Sequence, residues 1–177
     1  LHIHDRRQRQ MCIRDRKAKD IVFVDSKTKS HGIWKPSSEW RFHFDILKGR
    51  KEFDAVVHNH PAYGTGMSIL GKDIKAYHYM IAFLGGDTIK CSTFALPGSQ
   101  ELSDAALKAL KGRKACLLAN HGTITCGKNL DEAMFLTEEF EILCKQITIA
   151  KINGKPQLVE KKHMKKIIEA IKMYGKY

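Results

Sequence analysis

The chain has 177 residues, enough for one domain with a real core and short for two. Its hydrophobic content of 43% is ordinary for a globular protein. No apolar run approaches the roughly 20 residues that span a bilayer, and no segment of secretory-signal type follows the N-terminus, so neither membrane nor export is expected. The formal charge is +12, but the lysines are dispersed and no aromatic residues interleave them. A basic surface that meets anionic metabolites is therefore expected, not a nucleic-acid platform. The five cysteines, at 12, 91, 116, 126 and 144, form no C-x-x-C and read as reduced packing residues of a cytoplasmic protein.

Residues 1–16 stand apart. Five of the chain's eight arginines lie there, and all 23 lysines follow from Lys17 onward. The string Arg-Arg-Gln-Arg-Gln-Met-Cys-Ile-Arg-Asp-Arg resembles translated sequencing-adapter read-through. The segment is set aside as non-native, and with it His2-Ile3-His4 as a metal site. Its five arginines and two aspartates contribute a net +3 of the chain's formal +12. Residues 17–177 are expected to form a single domain.

From Asp20 to Asp25 a short strand is predicted, then a polar turn over Asp25–Ser30. Lys35-Pro36-Ser37-Ser38-Glu39-Trp40 opens a helix to about Lys48, with Trp40, Phe44 and Leu47 on one apolar face. On local grounds Ser37 and Ser38 are caps, and Glu39 is a first-turn carboxylate that suits the helix dipole. Ala55 to His60 reads as a strand, Pro61 to Leu70 as a short helix. The periodicity of Tyr77–Leu84 does not decide helix against strand. A strand is predicted over Thr88–Leu96, a helix over Ser99–Lys111, and two short strands over Ala115–Asn120 and Thr123–Cys126. Asn129 caps a long helix to about Ile152, with Leu130, Ala133, Met134, Thr137, Phe140, Leu143, Cys144 and Ile147 as its buried stripe. A last helix starts near Glu160, turning Met164, Ile167, Ile168 and Ile171 inward and its lysines to water.

The chemistry concentrates at two strand ends. In Val56-Val57-His58-Asn59-His60-Pro61 the alternation of a strand sends His58 and His60 to one face. His121 ends a second apolar run, Ala115 to Gly122. Three imidazoles with an open fourth position are the donor set of a catalytic zinc. The same pattern also fits ordinary strand-end histidines, and spacing alone leaves both readings open.

Lys-Pro-Ser-Ser-Glu-Trp-Arg-Phe-His (35–43), His-Asn-His (58–60), Ile74-Lys-Ala-Tyr-His-Tyr-Met-Ile-Ala82, Gly85-Gly86 and Asn-His-Gly (120–122) occur together in that order. In this the chain resembles the class II aldolase and adducin family, L-fuculose-1-phosphate aldolases in particular, from about residue 19 to the C-terminus. The resemblance implies a three-layer α/β/α fold with a mostly antiparallel sheet, and a homotetramer with active sites at subunit interfaces. It makes His58, His60 and His121 ligands of one Zn2+ per chain, with Glu39 as catalytic carboxylate on or near the metal. It places Tyr79 in a neighbouring subunit's active site, has Tyr174 close over the substrate, and gives Ser37 and Ser38 the substrate phosphate. Hydroxyls and free N–H groups at a helix N-terminus suit that last role.

The implied reaction is reversible retro-aldol cleavage of a ketose 1-phosphate to dihydroxyacetone phosphate and a small aldehyde such as lactaldehyde. Related expectations are other sugar-phosphate reactions on the same scaffold: ribulose-5-phosphate 4-epimerase, methylthioribulose-1-phosphate dehydratase, or another deoxyketose-phosphate aldolase. A non-catalytic adducin-like scaffold is the rival from another class, and a zinc-stabilised nucleic-acid module a third. The family's glycine-asparagine phosphate loop and Thr-Pro-x-Gly turn are missing. An N-terminally truncated chain with an incomplete phosphate pocket, weakly active or inactive, is expected.

Overall fold

The computed structural model describes residues 20–173, and the chain divides into two compact units, Leu1–Trp40 and Arg41–Tyr177. The segment 1–16 and Tyr174 fall outside the described residues.

The first unit carries a small hairpin. Strands β1 (Phe23–Val24) and β2 (Ser30–His31) pair antiparallel, Phe23 opposite His31. Asp25 organises the turn between them. Its Oδ1 accepts the N–H groups of Lys27 and Lys29, each at 2.9 Å, and its Oδ2 lies 2.8 Å from Nε2 of His31. The His31 contact, then the Lys29 N–H, hold this carboxyl below its usual value.

The second unit is built on a five-stranded sheet. Its strands are β3 (Ala55–Asn59), β4 (Ile74–Lys75), β5 (Thr88–Cys91), β6 (Ala115–Leu118) and β7 (Gly122–Gly127). Their order is β3-β7-β6-β5-β4. Only the β5–β6 pair is parallel; the other three pairings are antiparallel. Among the described residues the helices are α1 (Trp40–Gly49), α2 (Ala62–Ile69), α3 (Gln100–Ala109), α4 (Leu130–Asn153) and α5 (Lys161–Met173), with a 3-10 helix at Tyr79–Leu84. The parallel pair needs a crossover, and α3 provides it.

Period-two alternation divides the core between the two faces of the sheet. Cys116 and Leu118 of β6, with Ile124 and Cys126 of β7, pack under Phe42 and Ile46 of α1 and Leu102 and Ala106 of α3. Ala115 and Leu117 face the other way, against Met67 of α2, Leu136, Phe140 and Leu143 of α4, and Met164 of α5. Helices on both faces of a mixed, mostly antiparallel sheet make the three-layer α/β/α arrangement expected.

Several elements differ in detail from the sequence reading. The core face of α1 is Phe42 and Ile46, not Trp40, Phe44 and Leu47; Trp40 and Phe44 are half-buried and Leu47 is exposed. Both sets have helical spacing, and the sheet selects the first because it fills the space over Cys116 and Ile124. Glu39 lies one residue before α1, in a turn, and not in its first turn. Strand β5 stops at Cys91, since its ladder with β6 ends at Cys91–Leu117, and Phe94 and Leu96 lie exposed beyond it. In α4, Leu130 and Met134 are exposed and Leu136 takes a core place. The Asn129 cap is as expected, accepting Glu132 N–H at 2.8 Å.

Cys116, Cys126 and Cys144 are buried free thiols. Burial pushes the Cys126 thiol up to about 12, so it packs as an inert apolar group. Among the described residues, no helix is long and apolar enough to cross a membrane.

Candidate metal centre

The site is built where β3 and β7 end together. Their last rung pairs Asn59 with Thr123, and His58 lies opposite Ile124. His60 is the first residue past the strand, still on the face of His58. Across the sheet, β6 turns into β7 through Ala119, Asn120 and His121. Asn120 adopts the left-handed conformation, φ 55°, that so short a link demands, and the His121 N–H returns to the Leu118 carbonyl at 3.0 Å.

The three imidazoles form a nearly equilateral triangle. Ring centroids are 4.8 Å apart for His58–His60 and 4.9 Å for each of His58–His121 and His60–His121. Their ligand nitrogens all lie within 4.8 Å of one another. Gly122 makes this convergence possible. A Cβ there would meet the Asn59 carbonyl oxygen at 2.5 Å and the His60 ring at 2.6 Å, so the histidines occupy the space a side chain would need.

The donor chemistry fits a divalent cation. Nδ1 of His58 lies 2.9 Å from the Thr123 carbonyl, an acceptor, so Nδ1 carries the proton and Nε2 keeps its lone pair. That Nε2 is 3.0 Å from Nε2 of His60. A tetrahedral ion with bonds of about 2.0–2.1 Å holds two nitrogens roughly 3.4 Å apart, close to this spacing. Phe42 closes one side, its ring edge-on to His58 at 5.2 Å. Thr123 is buried and its hydroxyl donates to Asn59 Oδ1 at 2.5 Å, tying the two strand ends behind the histidines.

Residues 7–148 match the model of the "Class II Aldolase and Adducin N-terminal domain" family. The chain belongs to this family. It is 44% identical over 161 residues to a 5-methylthioribulose-1-phosphate/5-deoxyribulose-1-phosphate aldolase of Rhodospirillum rubrum, covering 91% of this chain and 73% of the relative. It is 42% identical over 156 residues to an L-fuculose phosphate aldolase of Escherichia coli, covering 88% and 73%. A solved L-fuculose 1-phosphate aldolase superposes with a TM-score of 0.85 at 36% identity, over 89% of this chain and 74% of that one. The fold is the class II aldolase fold, and the chain is an enzyme of this family, a lyase.

Of the residues singled out from the sequence, His58, His60 and His121 come together. Glu39, Ser37 and Ser38 belong to the first unit. There the Glu39 N–H donates to Ser37 Oγ at 3.2 Å and the Trp40 N–H to the Ser37 carbonyl at 3.1 Å, so Ser37 caps the approach to α1. Both serine side chains are exposed. Tyr79 opens the 3-10 helix, 49% exposed, with its ring 4.7 Å from that of His78. Tyr174 lies outside the described residues. Sequence reasoning missed Thr123, whose carbonyl sets the His58 tautomer, and the spatial role of Gly122. A glycine directly after a candidate histidine at the start of a strand was the available signal for the second.

Proposed function

We propose that this class II aldolase uses a zinc ion to cleave a ketose 1-phosphate reversibly to dihydroxyacetone phosphate and a small aldehyde. The observation that carries the proposal is the histidine triangle, with His58 locked in the ligand tautomer by Thr123. His58, His60 and His121 would hold the ion, with Glu39 as the fourth donor. The resemblance to the aldolase family supports the Glu39 assignment. A bound divalent ion supplies Lewis acidity toward the substrate's ketone and hydroxyl oxygens.

The chain's own residues do the rest. After the carbon–carbon bond breaks, Glu39 delivers a proton to the carbon that lost the aldehyde; in synthesis it removes that proton. Tyr79, in trans across a homotetramer interface, moves the proton on the aldehyde oxygen, and Tyr174 closes over the substrate. Its exposure suits Tyr79 to this role. Ser37 and Ser38 hold the phosphate at the start of α1, where both residues are exposed.

Two substrate classes have support of similar weight. The 42% relative acts on L-fuculose phosphate, which would give lactaldehyde; the 44% relative acts on 5-deoxyribulose 1-phosphate, which would give acetaldehyde. Both yield dihydroxyacetone phosphate, so identifying the aldehyde formed from each ketose phosphate decides between them. Deuterium exchange into dihydroxyacetone phosphate tests the mechanism separately. Glu39→Gln should keep the metal and abolish exchange; unchanged exchange removes Glu39 from the proton path. Mixing Tyr79→Phe with His121→Ala subunits should restore turnover if Tyr79 acts in trans, and no recovery in confirmed mixed oligomers rejects that role.

A further inference from the structure

Helix α2 begins two residues after His60, and its own sequence supplies no cap. Pro61 occupies the cap position in extended conformation, φ −72° and ψ 149°, with no side-chain acceptor to offer the first-turn N–H groups. The acceptor comes from α4. Glu141 places one carboxylate oxygen 2.9 Å from the Tyr63 nitrogen and the other 2.7 Å from the Gly64 nitrogen. A carboxylate bridging two first-turn N–H groups also meets the positive end of the helix dipole. Gly64 is packed hard at this point. A Cβ there would lie 2.7 Å from Thr123 Cγ2 and 3.0 Å from Pro61 Cγ. Thr123 is the residue whose carbonyl holds Nδ1 of His58.

His60 therefore hangs between two fixed points. On one side is the last ladder rung, Asn59 opposite Thr123. On the other is the helix start clamped by Glu141, one proline away. Nothing in the ladder holds His60 itself, because the strand has already ended. We infer that Glu141 is a positioning residue for the metal centre: held 77 positions along the chain from Gly64, it sets the backbone that aims His60, and through Gly64 and Thr123 it braces His58. It touches neither the histidines nor a substrate, so it acts only through them. The inference rests on the metal reading above.

The test is cobalt(II) binding to the folded protein, followed by its visible ligand-field spectrum and by competition with a chelator. Glu141→Gln and Glu141→Ala are compared with the parent chain and with Ile147→Val, which loosens the same helix in its buried core. Outer partners that orient metal-ligating histidines typically change metal affinity about 10- to 100-fold when removed. A loss of that size is expected for both Glu141 variants, with an altered cobalt spectrum, at a temperature where circular dichroism shows them folded. Ile147→Val should bind cobalt as the parent does, even if its Tm falls. Glutamine keeps the side-chain length but offers one acceptor oxygen in place of two, so it tests the clamp with least damage to folding. Parent-like affinity in folded Glu141→Gln overturns the inference alone, as does an equal loss in Ile147→Val. No cobalt binding by the folded parent overturns the metal reading, and this inference with it.

Discussion

Strand β7 has a glycine at each end, and the two ends do different work. At Gly127 the backbone is pressed against the start of α4: a Cβ there would meet the Ala133 nitrogen at 2.5 Å and the Asn129 carbonyl oxygen at 2.9 Å. The Gly127 carbonyl also accepts the Asp54 N–H at 3.0 Å. These contacts, with the rung that pairs Gly127 with Ala55, join the strand to its neighbours and to a helix, and none involves a histidine. At Gly122 the space of the missing side chain is taken by the Asn59 carbonyl and the His60 ring. The same local rule, a glycine where nothing larger fits, secures architecture at one end and a ligand set at the other. Gly122 and Gly127 look alike in the sequence; only what crosses over them separates a packing site from a chemical one.

The sharpest break between the two ends is His121→Ala. It should abolish stoichiometric metal loading, read by elemental mass spectrometry, and leave the circular dichroism of the folded chain unchanged. Gly122→Ala should both weaken metal binding, about 10- to 100-fold as for a disturbed ligand geometry, and lower Tm. Gly127→Ala should lower Tm alone, by an overpacking cost of about 1–3 kcal/mol, with metal affinity at the parent value. Equal metal loss in the two alanine variants would erase the distinction drawn here.

Between the two ends lies a buried hydroxyl pair, Thr125 and Thr137, their oxygens 2.6 Å apart. Thr137 also donates to the Ala133 carbonyl at 2.8 Å, so Thr125→Val leaves Thr137 with an acceptor. A cost of about 1 kcal/mol is expected in chemical denaturation, with no change at the metal.

The smallest effect belongs to the Gly127 end. Glu132, in the first turn of α4, pairs with Lys114 at 2.7 Å and accepts the Lys128 N–H at 2.7 Å. Burial works to raise its pKa, but the Lys114 and Lys128 contacts outweigh it and the carboxyl lies below its ordinary 4.5. A depressed carboxylate stabilises the fold above its unfolded pKa, and that contribution fades as pH falls through the folded value. The Tm of the parent in thermal denaturation should therefore fall with acid below about pH 5, and Glu132→Gln should show a slightly shallower decline.

Much of this was legible in the chain because it is local. The Asn129 cap, the alternation of His58 and His60, and the apolar run Ala115–Asn120 are signals a few residues long; the first two fold as read, and the run is a strand as far as Leu118. What escaped was decided by partners distant in sequence. Phe42 and Ile46 outcompete Trp40, Phe44 and Leu47 for the core because the sheet surface under α1 fits the first pair. The buried residues of Tyr79–Leu84 are Ile81, Ala82 and Leu84, a spacing that matches neither period 3.6 nor period 2, as a 3-10 helix allows. Glu141 reads as one more polar residue on a long helix until α2 is placed against it. At the site, the three histidines were legible locally, while the Thr123 carbonyl at His58 and the Glu141 contacts at the start of α2 were not.

The order in which the sheet closes has a consequence for kinetics. Strands β6 and β7 meet as a hairpin, from Ala115–Thr125 to Leu118–Gly122, whereas His58 reaches Thr123 across 65 positions of chain. Short-range hairpins form early, and distant pairings wait on the entropy of closing the intervening loop. His58 and His60 therefore join His121 only when β3 docks, among the last long-range events of the second unit. An ion that needs all three histidines grips the finished fold and little that precedes it. Its signature in stopped-flow refolding is a slower unfolding limb with the folding limb nearly unmoved, so the metal would act on the lifetime of the native state more than on the speed of reaching it.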